Sequence, residues 1–321
     1  MNPWLQGLVG GLVVVNVAMG VGAWAVWFER KFAARMQNRP GPTEVGPAGL
    51  LQPVADLLKM VQKEFILPNG VDRTLFRIAP PLGLTAVLAA LAVVPFSPGW
   101  IAADLDIGLL FAMSVTSLMV VPVWMAGWAS NNKYALLGAM RAAAQAISFE
   151  VPLLLTAIVP IVLAGSFRVA DIVAAQADGA WFAFWPPGPG AIAFGIFVLA
   201  SLAEANRIPF DIPEAESELV AGITTEYTGI RAGLFLLTEY LHTLLSSLLG
   251  AALFLGGWDG PGPDGAHWML LKTAALFVGI FWIRWTWLRL RSDQFMALCW
   301  KWLVPGSLLV VVAAALWRRF A

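Results

Sequence analysis

The sequence predicts an all-α polytopic membrane protein. Eight transmembrane helices and one amphipathic helix on the cytoplasmic surface form a single membrane domain over residues 1–321. Three observations predict it. Hydrophobic residues make up 59% of the chain and charged residues only 12%. The mean hydropathy is +0.75, and the 16 tryptophans suit the aromatic belts at membrane interfaces. The apolar residues fall into runs near the ~20 that a helix needs to cross the hydrocarbon core. Composition also argues against several function classes. A formal net charge of zero implies no bulk attraction to nucleic acid. One cysteine, Cys299, excludes an internal disulfide and an all-cysteine iron–sulfur cluster. Two histidines, His242 and His267, argue against a haem or zinc site, and no metal site is expected. There is no G-x-G-x-x-G or Walker loop to cradle a nucleotide.

The first span covers about 4–28 and carries no charge. It lacks the basic leader and cleavage site of a signal peptide, so it is expected to stay as a span. At Glu29 the chain turns basic, with Arg30, Lys31, Arg35 and Arg39, and a helix leaving the membrane is expected to stop at Pro40. Over 48–64, Gln52, Asp56, Lys59 and Lys63 form a narrow polar stripe on an apolar cylinder, as on a helix lying at the membrane surface. The second span is about 78–96 and the third about 107–128. A polar loop, S-N-N-K-Y, then leads to Arg141. The fourth span, 142–164, contains Glu150, and an acid inside a span is a functional candidate. The fifth span, 191–205, is short and delivers Glu204 and Arg207. The sixth covers 232–257, with Glu239 and His242 three apart on one face. The seventh covers 268–287 and the eighth 298–317.

Between the fifth and sixth spans lies the densest polar stretch, about 204–231. It holds Glu204, Asp211, Glu214, Glu216, Glu218 and Glu226 and begins with Arg207. Pro209 and Pro213 break any helix there, so Pro-Phe-Asp-Ile-Pro is expected to be extended. Glu214 and Glu218 share a face if helical, where like charges oppose each other by about 0.2–0.5 kcal/mol. The acids alternate with Ala, Leu and Val, the texture of a cavity wall rather than a solvated loop. Eight spans put both termini on one side. Of the 20 Lys and Arg, 16 fall on the side holding the loops after odd-numbered spans. The positive-inside rule makes that side cytoplasmic and both termini periplasmic.

Several runs match one family. They are F-E-R-K-x-x-A-R-M-Q-x-R-x-G-P, G-P-A-G-L-L-Q-P-V-A-D-L-L-K, R-A-A-A-Q-A-I-S-F-E, E-A-N-R-I-P-F-D-I-P-E-A-E-S-E-L-V-A-G-I-T-T-E-Y, L-G-G-W and R-L-R-S-D-Q. Together they resemble the H-subunit family of the bacterial proton-pumping NADH:quinone oxidoreductase (respiratory complex I), homologous to mitochondrial NADH dehydrogenase subunit 1. The resemblance spans the whole chain. Two departures are visible: Thr43 where the family usually has Asn, and Ser292 where it usually has Tyr.

The resemblance implies a multi-pass subunit of the bacterial inner membrane at the junction of the membrane and peripheral arms. It implies that the chain forms most of a tunnel for a quinone substrate, ubiquinone or menaquinone. Arg30, Arg39, Asp56 and Lys59 map onto the charged tunnel region. Glu150, Glu204, Asp211, Glu214, Glu216, Glu218 and Glu226 map onto a chain of proton-coupling carboxylates, with Arg207, Arg284, Arg291 and Asp293 as supporting charges. Partner subunits of the peripheral and membrane arms are implied, with FMN and iron–sulfur clusters expected on partner subunits, and no catalytic residue or complete active site in this chain alone. Buried, mutually repelling acids can answer quinone reduction by changing protonation. Two other readings stay open: a membrane subunit of a related hydrogenase or formate-hydrogenlyase-type complex, and a proton-coupled transporter. The sequence shows no convincing internal repeat of the kind transporters often carry.

Overall fold

The computed structural model describes residues 3–177, 181–185, 187–213 and 220–320. The expected sites Glu214, Glu216 and Glu218 lie outside the described residues. The described chain is helical: α1 Pro3–Met36, α2 Gln52–Gln62, α3 Arg73–Leu91, α4 Gly108–Ser117, α5 Val120–Ala129, α6 Lys133–Ala164 and α7 Val169–Ala174. Then follow α8 Pro189–Glu204, α9 Gly229–Phe254, α10 Ala266–Thr286, α11 Ser292–Leu298 and α12 Val304–Phe320. Among the described residues, seven helical stretches are long and apolar enough to cross a membrane: Val9–Met36, Arg73–Leu91, Gly108–Ala129, Lys133–Ala164, Gly229–Phe254, Ala266–Thr286 and Ser292–Phe320. The expected fifth span is α8, whose 16 residues are apolar but shorter than these. At 1.5 Å per residue it reaches about 24 Å, against the ~30 Å of a hydrocarbon core.

Three expected boundaries move, each for a local reason. The third span is α4 and α5, broken at Leu118–Met119. Pro122 has no N–H and crowds the carbonyl four residues back, at Leu118. That carbonyl instead accepts from Val121 N at 3.0 Å, and Met119 N donates to Thr116 O at 2.9 Å. The fourth span starts earlier than expected. Asn132 caps α6 by accepting from Tyr134 N at 2.9 Å, so Lys133 and Arg141 ride in the helix and the polar loop shrinks to a turn. The last span starts at Ser292, and α11 joins α12 through a π-helical turn, Cys299–Leu303. Pro305 follows that turn and crowds the carbonyl of Lys301, which the wider turn accommodates.

The most enclosed span is α9. It packs against α1, α2, α3, α8 and α10, while α6 packs against α5, α8 and α12. Leu245, Leu249, Leu253 and Phe254 of α9 join Phe149 of α6 and Phe197 of α8 in one apolar core. The polar residues of α8, α9 and α6 are set into that core, and their placement forms the site.

Candidate functional site

Glu29 lies near the end of α1, buried at 4% exposure. Its carboxylate receives the Tyr240 hydroxyl at 2.6 Å and lies 3.7 Å from Arg207 Nη1. Arg284 of α10 also pairs with it closely. Arg207 is 2% exposed and stacks over the Tyr240 ring at 4.4 Å. Burial works against the Arg207 charge, but Glu239, Glu29 and Tyr240 more than offset it and hold its pKa above the usual guanidinium value. One carboxylate thus ties α1, the turn after α8, α9 and α10 together. Arg207 and Arg284, both expected as supporting charges, meet here. Glu29 itself is not among the residues expected from sequence.

The turn after α8 sets this up. Asn206 takes a left-handed conformation at φ 50°, and Phe210 N donates to Arg207 O at 2.8 Å. The expected extended Pro-Phe-Asp-Ile-Pro run is therefore a tight turn at its start, with Ile208–Pro209 cis. Phe210 is buried against Phe149, with ring centroids 5.2 Å apart. Asp211 follows, half-buried.

Glu150, Glu204 and His242 line one cavity of about 50 Å3, together with Ser117, Thr116 and Asn206. His242 Nε2 stands 3.6 Å from Glu204 Oε1. Ser117 donates to Glu150 from the point where α4 breaks. Non-helical backbone at membrane depth is tolerated where it lines a cavity, and the Leu118–Met119 break does so. Gln145 of α6 donates to Ala203 O at 2.6 Å and to Asn206 Oδ1 at 3.2 Å, which fixes the end of α8 against α6. Two of the expected acids, Glu150 and Glu204, therefore share a site. His242, expected beside Glu239, faces Glu204.

Glu226 belongs to a neighbouring group. It accepts from Asn132 Nδ2 at 2.6 Å, just before Tyr227 stacks on Phe76 at 4.0 Å between centroids. Burial pushes the Tyr227 phenol above its usual pKa. Arg231 lies over the Phe65 ring at 3.6 Å.

The four expected tunnel residues separate. Arg30 and Asp56 pair at 2.7 Å, and Gln52 donates to Asp56 at 2.9 Å, which pins α2 to α1. Arg39 instead donates to Gln37 at 2.7 Å, and Lys59 is exposed. Leu51 just before α2 and Val54, Leu57, Leu58 and Val61 within it are all exposed, so this helix turns its apolar face away from the chain. Arg291 and Asp293 pair with each other at 2.8 Å on the surface, apart from the buried group.

This arrangement can hold, share and pass protons along buried carboxylates, and can anchor them with fixed guanidinium charge. The profile of the NADH dehydrogenase family matches residues 9–315. The H subunit of the NADH-quinone oxidoreductase of Dehalococcoides mccartyi is 44% identical over 305 residues, covering 95% of this chain and 83% of its own. The protein of the same name from Geobacillus thermodenitrificans is 44% identical over 330 residues, covering 98% of each chain. The one from Rhodospirillum rubrum is 45% identical over 311 residues, with 95% of this chain and 91% of its own covered.

Proposed function

The chain belongs to the NADH dehydrogenase family, among relatives named as the H subunit of NADH-quinone oxidoreductase, and from that premise we propose that it couples quinone reduction to proton movement within such a complex. It is a membrane subunit of an oxidoreductase, and its substrate is a quinone. FMN and iron–sulfur clusters reside on partner subunits, and this chain sits where the membrane arm meets the peripheral arm. The bundle crosses the membrane eight times, with α8 as the short fifth span and both termini on the outer side. The chain acts as one membrane domain. In it, α2 lies at the inner surface with its apolar face in the lipid or against a partner.

The observation that carries this reading is the meeting of Glu150, Glu204 and His242 on one buried cavity, beside a turn whose Arg207 reaches the Glu29 carboxylate. Quinone reduction takes up two protons and creates transient negative charge. A fixed cation such as Arg207 transmits that change to neighbouring acids by Coulomb interaction, which is strong away from bulk water. Moving one charge through 100 mV costs about 2.3 kcal/mol, so a pKa change of one or two units suffices. Arg30, Arg39, Asp56 and Lys59 line the quinone path near α1 and α2. Glu150, Glu204, Asp211, Glu214, Glu216, Glu218 and Glu226 carry the protons, and Arg207, Arg284, Arg291 and Asp293 are the supporting charges. Glu216→Gln or Glu218→Gln lowers proton translocation more than assembly, read as pumping against the amount of complex in the membrane.

Membrane vesicles from a strain lacking this chain, and from its complemented counterpart, test the reading. NADH-driven quinone reduction and lumen acidification of inverted vesicles are expected to vanish and return together. Unchanged NADH activity with loss of a hydrogen- or formate-linked activity would instead place the chain in a hydrogenase-type complex.

A further inference from the structure

A second cavity, of about 120 Å3, opens between α8, α9 and α10. Ser201 of α8, Ser246 and Ser247 of α9 and Gly279 of α10 are among its walls. Ser201 precedes Glu204 by three residues, and Ser246 follows His242 by four. The second cavity therefore lies about one helical turn, about 5 Å, from the first along both helices. The Ser246 and Ser247 hydroxyls donate to His242 O at 3.0 Å and Thr243 O at 2.9 Å, which leaves their oxygens able to accept. Two buried atoms at these cavities have no protein hydrogen-bond partner among the described residues: Ser201 Oγ and His242 Nδ1. Both residues are 3% exposed. Leaving a buried polar atom unsatisfied is unfavourable, so each of these atoms favours a partner. A cavity larger than ~10–15 Å3 holds a water where about two to four polar groups reach it; the second cavity exceeds that size and offers three serine hydroxyls in an otherwise apolar wall.

We propose that His242 is a proton-relay residue, taking a proton from Glu204 at Nε2 and releasing one from Nδ1 to water held beside Ser201 in the second cavity. This rests on the function proposed above and gives the carboxylate chain a branch toward α10. The Glu204 O–H bond breaks, its electron pair stays on the carboxylate, and an Nε2–H bond forms. The imidazolium then loses its Nδ1 proton to a water lone pair. A flip of the neutral ring restores an accepting nitrogen to Glu204. No oxidant or reductant is consumed. Glu204 on α8 and Glu150 on α6 line the first cavity with His242, Glu239 and Tyr240 lie within one turn of it on α9, and Arg207 and Glu29 form the ion pair at Tyr240. The residues lining the two cavities from α4, α5 and α10 are uncharged.

The test uses inverted vesicles carrying the assembled complex with His242→Asn or Ser201→Val, read as protons moved per electron across a pH series. Asn keeps a hydrogen-bonding side chain of similar bulk but cannot carry the proton. The expected result is a lower proton-to-electron ratio. The dependence of the ratio on pH should also change. Ser201→Val removes the hydroxyl that would hold the water in the second cavity and should lower the ratio as well. A wild-type ratio and pH profile in His242→Asn overturns the relay. A wild-type ratio in Ser201→Val overturns the exit through the second cavity, and either variant can be scored without the other. Absence of NADH-driven quinone reduction in the wild-type control would contradict the proposed function instead, so the two failures are distinguishable.

Discussion

Glu29 and Arg30 are adjacent on α1 and serve different neighbours. Successive residues on a helix point about 100° apart, so Arg30 reaches Asp56 on α2 while Glu29 turns into the bundle toward Tyr240, Arg207 and Arg284. Removing the Glu29 carboxylate leaves two guanidinium groups without their shared anion. Breaking a buried ion pair from one side costs about 3–5 kcal/mol. Glu29→Gln is therefore expected to lower the thermal midpoint of the purified complex and its amount in the membrane. Wild-type melting in that variant would show that the group does not hold the helices. The importance of Glu29 is hard to read from sequence because it closes an apolar run and opens a basic one. The F-E-R-K run reads as a helix leaving the membrane, and only the fold shows that one of its charges faces inward. Glu150 and Glu204 are legible, because an acid within or at the end of an apolar run needs a partner wherever it lies. His242 is legible as a titratable group. Its partner is not, because Glu204 lies on another helix.

Close packing and short turns decide how the helices meet. Gly127 of α5 has no room for a side chain: a Cβ there would lie 2.3 Å from Ala139 Cβ of α6. Gly127→Val is expected to push α5 from α6, disturb the Ser117–Glu150 contact and lower assembly. Gly20→Ala, with nothing within 4 Å, should not. Comparable amounts of assembled complex in the two variants would contradict this packing. Between α3 and α4, Asp104 pairs with Arg168, whose hydrogen bond holds the Asp104 carboxyl below its usual pKa. A lowered folded-state pKa means the pair stabilises above about pH 4, the unfolded value. The contribution fades as pH falls through the folded value. The pair is partly exposed, so Asp104→Asn should cost under about 1 kcal/mol at neutral pH. The difference from wild type should disappear in acid, as thermal melts at the two pH values would show. Most element positions are legible from apolar runs. The break before Pro122, the early start at Lys133 and the π-helical turn before Pro305 are not. They depend on which carbonyls a proline leaves unbonded and on a single capping side chain, and hydropathy averages over both.

For the whole molecule, the excess of Lys and Arg on one side predicts a fixed orientation. Cys299 is the single cysteine and is buried, so a reactive cysteine placed at Arg39 or at Gly262 can be labelled alone. Residue 39 is expected to react from the inner face and residue 262 from the outer face. The reverse pattern would overturn the orientation. The membrane class is legible from composition, and among the described acids of 204–226 it is Glu204 that lines the cavity. The meeting of α4, α6, α8 and α9 around one cavity requires the fold, because it brings Ser117, Glu150, Glu204 and His242 together from four helices. The central claim is that protons move on these buried carboxylates when quinone is reduced. The measurement that tests it most directly is the proton-to-electron ratio of inverted vesicles carrying Glu204→Gln, with NADH oxidation followed in the same sample. The account predicts a ratio well below wild type while the complex remains assembled. A wild-type ratio in the assembled variant would contradict it.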